Sequence, residues 1–285
     1  MIHLITDSAS DISQEDANRL GIKVLPMIIT IGDKEYKDGI DITKQEFYEK
    51  LIECDELPKT SQINPYRFID EFEKLKGEEA IVILMSKELS GTYQSACLAS
   101  QDFPNVHVIN SNNVAIGEKI LVILAHDLIK QGKSAKEVVN IIEEKKNDVC
   151  LIALLDTLEY LKKGGRISST TAFIGEVLSI KPVIEIRDGK VAMKGKARGS
   201  KNANNKLREF IASYNGIDFS LPYELAYTGL SHEMLDKYIK DSQDLYGDRK
   251  LYISQIGPTI GTHIGPGAIG VAFFKINEGF DSRNL

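Results

Sequence analysis

Short β-branched runs alternate with helix-periodic segments through the first half of the chain, at residues 2–6 (IHLIT), 22–30 (IKVLPMIIT), 80–85 (AIVILM) and 106–110 (VHVIN). Apolar runs of this length between amphipathic stretches predict buried strands of a mostly parallel sheet with helices on both faces. Thr43 with Glu46 makes a capping-box pattern for a helix running to about residue 51, and residues 116–129 form a long apolar helix. Beyond residue 151 the texture changes. LIALLDTLEYLKKGGRIS predicts a strand and a helix that ends at Gly164 and Gly165. Arg187-Asp188-Gly189-Lys190 between two alternating runs predicts a tight hairpin, because Asp-Gly suits the positive φ of a two-residue turn. A helix at 201–214, a strand at 223–228, a helix at 231–240 and strands at 250–256 and 268–274 complete the pattern. The expected fold class is α/β in two domains. Residues 1–150 form an N-terminal α/β domain with the mostly parallel sheet, and residues 151–285 form a C-terminal α+β domain with a largely antiparallel sheet. A length of 285 residues, above the usual single-domain size, agrees with that division.

Composition narrows the function classes. A formal charge of −6 with pI near 5.5 argues against nucleic acid as a partner. Cys54, Cys97 and Cys150 are odd in number and widely spaced, without CxxC, so neither a disulfide framework nor a metal site is expected. The opening MIHLITDS resembles neither a signal nor a transit peptide, and no apolar run approaches membrane-spanning length, so a cytoplasmic protein is expected.

The chemistry gathers at four places. Residues 257–274, GPTIGTHIGPGAIGVAFF, set five glycines and two prolines around His263 and read as a glycine-rich ligand loop before an apolar strand. Ser90 stands where a helix N-cap belongs after the strand at 80–85, which would leave the N–H groups of Gly91, Thr92 and Tyr93 facing an anion. Thr60-Ser61-Gln62 and Lys196-Ala197-Arg198 add hydroxyls, an amide and cations. Together these groups suit a carboxylate or a phosphate. Asp7 and Ser8 follow the first strand, where ligands of open α/β sheets gather, and either orient loops there or cap a helix. A serine hydrolase would want GxSxG, and a nucleotide site GxxxxGK[ST] or GxGxxG after a strand; neither is present in that context. Lys162, Lys163 and Arg166 form a basic patch suited to an acidic partner or to transient contact with membrane head groups, while Gly164 and Gly165 read as an ordinary helix cap.

Six ordered motifs resemble the DegV family, which includes the fatty-acid-binding subunits of bacterial fatty-acid kinase systems. They are ITDSASD (5–11), KTSQ (59–62), SGTYQSA (90–96), LEYLKKGGRIS (158–168), KARGSK (196–201) and IGTHIGPGAIGVAFF (260–274). The resemblance implies a lipid-binding carrier rather than an enzyme, without a cofactor, holding one long-chain fatty acid between its two domains. It implies that Thr60, Ser90 and His263 surround the carboxylate with Arg198 nearby, and that Ser61, Gln62, Gly91 and Thr92 support them. It further implies that a separate fatty-acid kinase catalytic subunit phosphorylates the bound acid, yielding an acyl phosphate for phospholipid synthesis. Phe173, Ile174, Val177, Leu178, Ile180, Phe273 and Phe274 are candidates to line the tail tunnel. Proline directly follows TSQ in many members, whereas Ile63 and Asn64 precede Pro65 here, so the path of residues 60–65 is left open. Two other readings stay in play: an acyl or phosphoryl transferase using His263, and a lipid-dependent regulatory sensor docking through Lys162, Lys163 and Arg166.

Overall fold

In the computed structural model the described residues are 1–54, 56–167 and 180–276. The first part of the chain forms β1 (Ile2–Asp7), α1 (Gln14–Leu20), β2 (Ile22–Leu25), β3 (Ile28–Ile31), β4 (Lys34–Lys37), α2 (Lys44–Glu53) and β5 (Lys59–Ser61). It continues through α3 (Pro65–Glu73), β6 (Glu79–Leu84), α4 (Thr92–Ala99), β7 (Val106–Asn110), α5 (Ile116–Lys130) and α6 (Ala135–Lys145). Strands in the order β2-β1-β6-β7 make an all-parallel sheet, with Ile5 opposite Val82 and Val82 opposite Val108. Both faces are covered, so its apolar runs are continuous rather than alternating.

The later part of the chain forms β8 (Val149–Leu154), α7 (Glu159–Lys163), β9 (Ile180–Arg187), β10 (Lys190–Arg198), α8 (Ser200–Ala212), β11 (Glu224–Tyr227) and α9 (Glu233–Asp241). After these come α10 (Gln243–Tyr246), β12 (Ile253–Gln255), α11 (Pro258–Ile264) and β13 (Ile269–Phe274). Its six-stranded sheet runs β10-β9-β8-β13-β11-β12 and is antiparallel except for the β11–β12 pair. The mixed α/β architecture therefore has the parallel and largely antiparallel sheets that the patterning predicts. The β9–β10 turn forms as expected, with Asp188 at φ 50° and Gly189 at φ 76°. The Thr43–Glu46 capping box also forms at the start of α2.

Two local expectations are corrected. Residues 22–30 are not one strand: Pro26, with no N–H to offer a ladder, separates β2 from β3. The released β3 pairs with β4 and β5 in a small antiparallel sheet that sets Thr60 opposite Ile29. The glycine-rich segment is not a loop at His263. Residues 258–264 are helical, with Pro258 in the first turn and Gly265 at φ 71° just past the end.

The largest core joins the two sheets. Leu121, Val122 and Leu124 of α5 share it with Ile81 and Ile83 of β6 and with Ala272 and Phe274 of β13. A second core lies on the other face of the six-stranded sheet, where Leu207 of α8 and Tyr238 of α9 meet Val271 and Phe273. Among the described residues no helix is long and apolar enough to cross a membrane.

Candidate functional site

Helix α11 carries the titratable group of the site. Its glycine at 261 lets it lie against α2, since a Cβ there would stand 2.7 Å from Phe47 Cε1 and 2.8 Å from the Tyr48 hydroxyl. The helical repeat sets Thr259 with His263, and Ile260 with Ile264, on the face that lines a cavity of about 190 Å³. His263 Nε2 shares a 2.9 Å hydrogen bond with Thr60 Oγ1 of β5, joining residues 203 positions apart. Its Nδ1 is buried without a hydrogen-bond partner among the described residues and faces Gly164, where a Cβ would come within 2.3 Å of it. Burial above all, and then the Arg166 guanidinium, lower the His263 pKa from 6.5 to about 4, so the imidazole is neutral at physiological pH.

The second wall is the turn between β6 and α4. The N-cap of α4 is Gly91 rather than Ser90, one residue later than the sequence pattern predicts, because the chain first closes a turn in which Ser90 N–H bonds the Ser86 carbonyl. Ser90 Oγ still accepts from Thr92 N–H at 3.3 Å and lies 3.0 Å from Thr92 Oγ1. Gly91 leaves room for Gln62, whose Oε1 would stand 2.0 Å from a Cβ at that position. Gln62 Nε2 donates to Ser95 Oγ, and Ile63 N–H donates to Thr92 Oγ1. These bonds define the path of residues 60–65, which ends where Asn64 caps α3 and Pro65 begins it.

Among the described residues the cation that lines the cavity is Arg166, not Arg198. Helix α7 ends in a Schellman pair, Arg166 N–H to the Leu161 carbonyl and Gly165 N–H to the Lys162 carbonyl, with Gly165 at φ 69°. The reversal turns Arg166 inward, where Nε donates to the Leu89 carbonyl at 3.3 Å and Nη1 to the Gly164 carbonyl at 2.6 Å. Arg198, at the far end of β10, is exposed and lines neither this cavity nor its apolar neighbour. Arg166 is thus withdrawn from the exterior patch that the sequence suggested. Lys162 remains exposed, and Lys163 pairs with Glu159. Ser61 is exposed and, by strand alternation, points away from the side of β5 that carries Thr60.

Val114, Val191, Ile260 and Ile264 are shared between the polar cavity and a tight pocket of about 70 Å³ behind it. Ala226, Gly270, Ala153 and Ile184 stand side by side across four strands and all line that pocket. Short side chains in that row leave the hollow that ordinary core residues would fill. Three of the proposed tail contacts lie elsewhere. Phe273 points to the opposite face of the sheet, Phe274 is packed in the inter-sheet core, and Ile180 lies at the outer end of β9 opposite Arg198. Phe173, Ile174, Val177 and Leu178 fall outside the described residues. A larger groove of about 740 Å³ between α1, α5 and β12 contains none of the sequence-derived site residues.

The arrangement is a polar end of hydroxyls, amide, guanidinium and neutral imidazole opening onto an apolar end. The profile described as "Uncharacterised protein, DegV family" matches residues 1–275. A DegV domain-containing protein from Caldanaerobacter subterraneus subsp. tengcongensis is 35% identical over 280 residues, covering 95% of this chain and 98% of the relative. A structure described as fatty acid binding of a DegV family protein from Thermus thermophilus superposes with a TM-score of 0.86 at 30% identity, covering 96% of this chain and 99% of that one. DegV of Bacillus subtilis, described as a fatty acid binding protein, gives 0.83 at 29% identity over 96% and 99% of the two chains. With its full-length profile match and shared architecture, the chain belongs to the DegV family.

Proposed function

We propose that this chain binds one long-chain fatty acid, with the carboxylate at Thr60, Ser90, Arg166 and His263 and the tail in the pocket floored by Ala153, Ala226 and Gly270. Residues 1–150 and 151–285 are the two domains that close around it. The carrying observation is the polar cavity that shares four apolar residues with an apolar pocket that includes the small residues Ala153, Ala226 and Gly270. The fatty-acid binding described for the Thermus thermophilus and Bacillus subtilis proteins supports a fatty acid as the ligand class. Burial of about fourteen methylenes contributes on the order of 11 kcal/mol before the costs of association are subtracted. Affinity therefore resides in the tail, while the head group selects orientation. A carboxylate leaving water needs donors, and Thr60, Ser90 and Arg166 supply them.

In this reading the protein is a cytoplasmic bacterial carrier that presents the carboxylate to a separate kinase for acyl-phosphate formation and phospholipid synthesis. Arg166 beside the head group suits the added negative charge of an acyl phosphate. The transferase alternative lacks an oriented nucleophile–base pair among the described residues: the Ser90 hydroxyl is bonded to Thr92, and although Thr60 Oγ1 lies 2.9 Å from His263 Nε2, no carboxylate orients that imidazole through Nδ1. Native mass spectrometry of the purified protein, followed by extraction, is expected to show one fatty acid per chain. The double change Ser90→Ala with His263→Ala is expected to lower occupancy and to stop acyl-phosphate formation with a cognate kinase. Full occupancy and full turnover in that variant would overturn the head-group assignment.

Gly270 offers a test of the tail. A Cβ there meets only ordinary contacts at 3.7 to 3.8 Å from Ile152, Ala153 and Ile116, so the strand accepts a side chain. Gly270→Val is expected to fill the pocket and shift preference toward shorter acids, read as relative occupancy from an equimolar mixture of C10 to C18 acids. An unchanged chain-length profile would place the tail elsewhere.

A further inference from the structure

The ITDSASD motif lies outside the cavity, yet it makes hydrogen bonds to three of the cavity's walls. Asp7, buried at the end of β1, accepts from Met85 N–H at 3.0 Å and from Ala9 N–H at 2.8 Å. Ser8 Oγ accepts from Met27 N–H at 3.0 Å. Asp11 Oδ1 accepts from Gly257 N–H at 2.5 Å. Asp38, buried beside them, accepts from Thr259 N–H at 3.3 Å and from Thr259 Oγ1 at 2.5 Å. Met27, Met85 and Thr259 all line the cavity, whereas Asp7, Ser8, Asp11 and Asp38 do not.

The grip is tightest on α11. That helix has no side-chain cap of its own: its N-cap is Gly257 and its first residue is Pro258, so the free N–H groups of its first turn need acceptors from elsewhere. Asp11 and Asp38 supply them from positions more than 200 residues away in sequence. The Tyr48 hydroxyl donates to the Ile256 carbonyl at 3.1 Å, and Lys44 Nζ donates to the Gln255 carbonyl. Gly257 admits no larger residue without pressing on Asp11, because a Cβ would sit 3.0 Å from its Oδ1. Burying two carboxylates is costly unless hydrogen-bond donors replace their hydration. Their nearest cations are Lys44, 3.8 Å from Asp11, and Lys119, which is itself bonded to Glu224. Thr259 lies one helical turn before His263 on the same face, so a shift at the clamp moves the imidazole.

We propose that Asp7, Ser8, Asp11 and Asp38 are positioning residues of the head-group cavity, setting the depth of His263 through the clamped first turn of α11 and the spacing of the opposite walls through Met27 and Met85. The inference rests on the fatty-acid reading only for the ligand, because the geometry of His263 can be followed without one. In Thr259→Val the clamp loses its shortest bond to Asp38. Palmitate binding to the full chain, measured by displacement of a fluorescent fatty acid, is expected to weaken roughly tenfold. In ligand-free protein the His263 titration, followed by NMR of the imidazole, is expected to climb from about 4 toward 6.5 as the ring loosens into solvent. Thr259→Ser, which keeps the hydroxyl, is expected to restore both readouts. Ser8→Ala, acting through Met27, provides the same test by a second route if Thr259→Val does not fold. Folded variants that keep wild-type palmitate affinity and an unmoved His263 titration, whatever their melting temperatures, would overturn the proposal. Wild-type protein that takes up no palmitate, with His263 still moving in Thr259→Val, would instead remove the fatty-acid reading and leave the clamp standing.

Discussion

Gly164→Ala is expected to cost most of the fatty-acid affinity while the protein stays folded. Gly164 has φ −74°, a value any residue adopts, so its backbone makes no demand for glycine. The demand comes from His263: an alanine Cβ would lie 2.3 Å from Nδ1 and 3.2 Å from Cε1, and 3.0 Å from the Tyr160 carbonyl. The ring must therefore shift, and the hydrogen bond between its Nε2 and Thr60 Oγ1 breaks or lengthens. A loss of roughly tenfold or more in affinity is expected from one head-group bond together with a displaced wall. Gly165 supplies the contrast. It stands at φ 69° with nothing within 4 Å of a Cβ, so Gly165→Ala is expected to cost about 1 kcal/mol of stability through the left-handed backbone and to leave binding alone. Calorimetric titration with oleate and thermal melts of both variants check the pair. Equal affinities for the two, or a binding loss in Gly165→Ala alone, would sink this account of the site.

Stability is expected to fall as pH rises from about 4 to about 7, more steeply than exposed groups would produce. Burial pushes Asp7 and Asp11 up from 3.8 to about 7, and burial raises Asp38 and Glu118 as well. In this window the folded chain holds protons that the unfolded chain has released. Stability is thus fully present below the unfolded value and lost as pH passes through the folded one, on the order of a few kcal/mol each for Asp7 and Asp11. His263 works the other way. Its folded pKa is depressed to about 4, so its contribution is complete above 6.5 and disappears as pH falls through 4. Asp11→Asn isolates the first effect, since Oδ1 can still accept from Gly257 N–H while the titrating proton is gone. Chemical denaturation at about pH 5 and about pH 8 is expected to show a smaller drop for Asp11→Asn than for the wild type. Parallel slopes in the two proteins would show that Asp11 does not titrate in that range.

Local conformational preference acts over a few residues, and what depends on it was legible in the chain. The Asp188-Gly189 turn, the Thr43–Glu46 capping box, α5 and the strands at 80–85 and 106–110 follow from φ preference, capping chemistry and apolar runs. The parallel and antiparallel sheets followed from the same patterns. Thr60, Ser90 and His263 stood out as polar groups at strand and helix ends, and the structure brings them to one cavity. Their meeting, however, is made by sheet packing over 203 residues, which no local preference encodes.

Tertiary packing decided the rest. Whether Arg166 or Arg198 faces the cavity depends on a Schellman reversal and on which carbonyls lie beneath it. Strand alternation separates Phe273 from Phe274 in the sequence, but only the placement of α8 and α5 on the two faces shows that both are core and that the hollow belongs to Ala153, Ala226 and Gly270. The glycine at 164 looked like a helix end and proved to be the space that His263 needs, because a missing side chain has meaning only beside the neighbour it admits. Carboxylates such as Asp11 and Asp38 carry no local sign that they will cap a helix more than 200 residues away. The sequence alone therefore determined most of the elements, the family, and Thr60, Ser90 and His263 as polar groups that share one cavity. The fold decided which cation, which glycine and which small residues complete it, because those roles are set by distances between segments that only packing brings together.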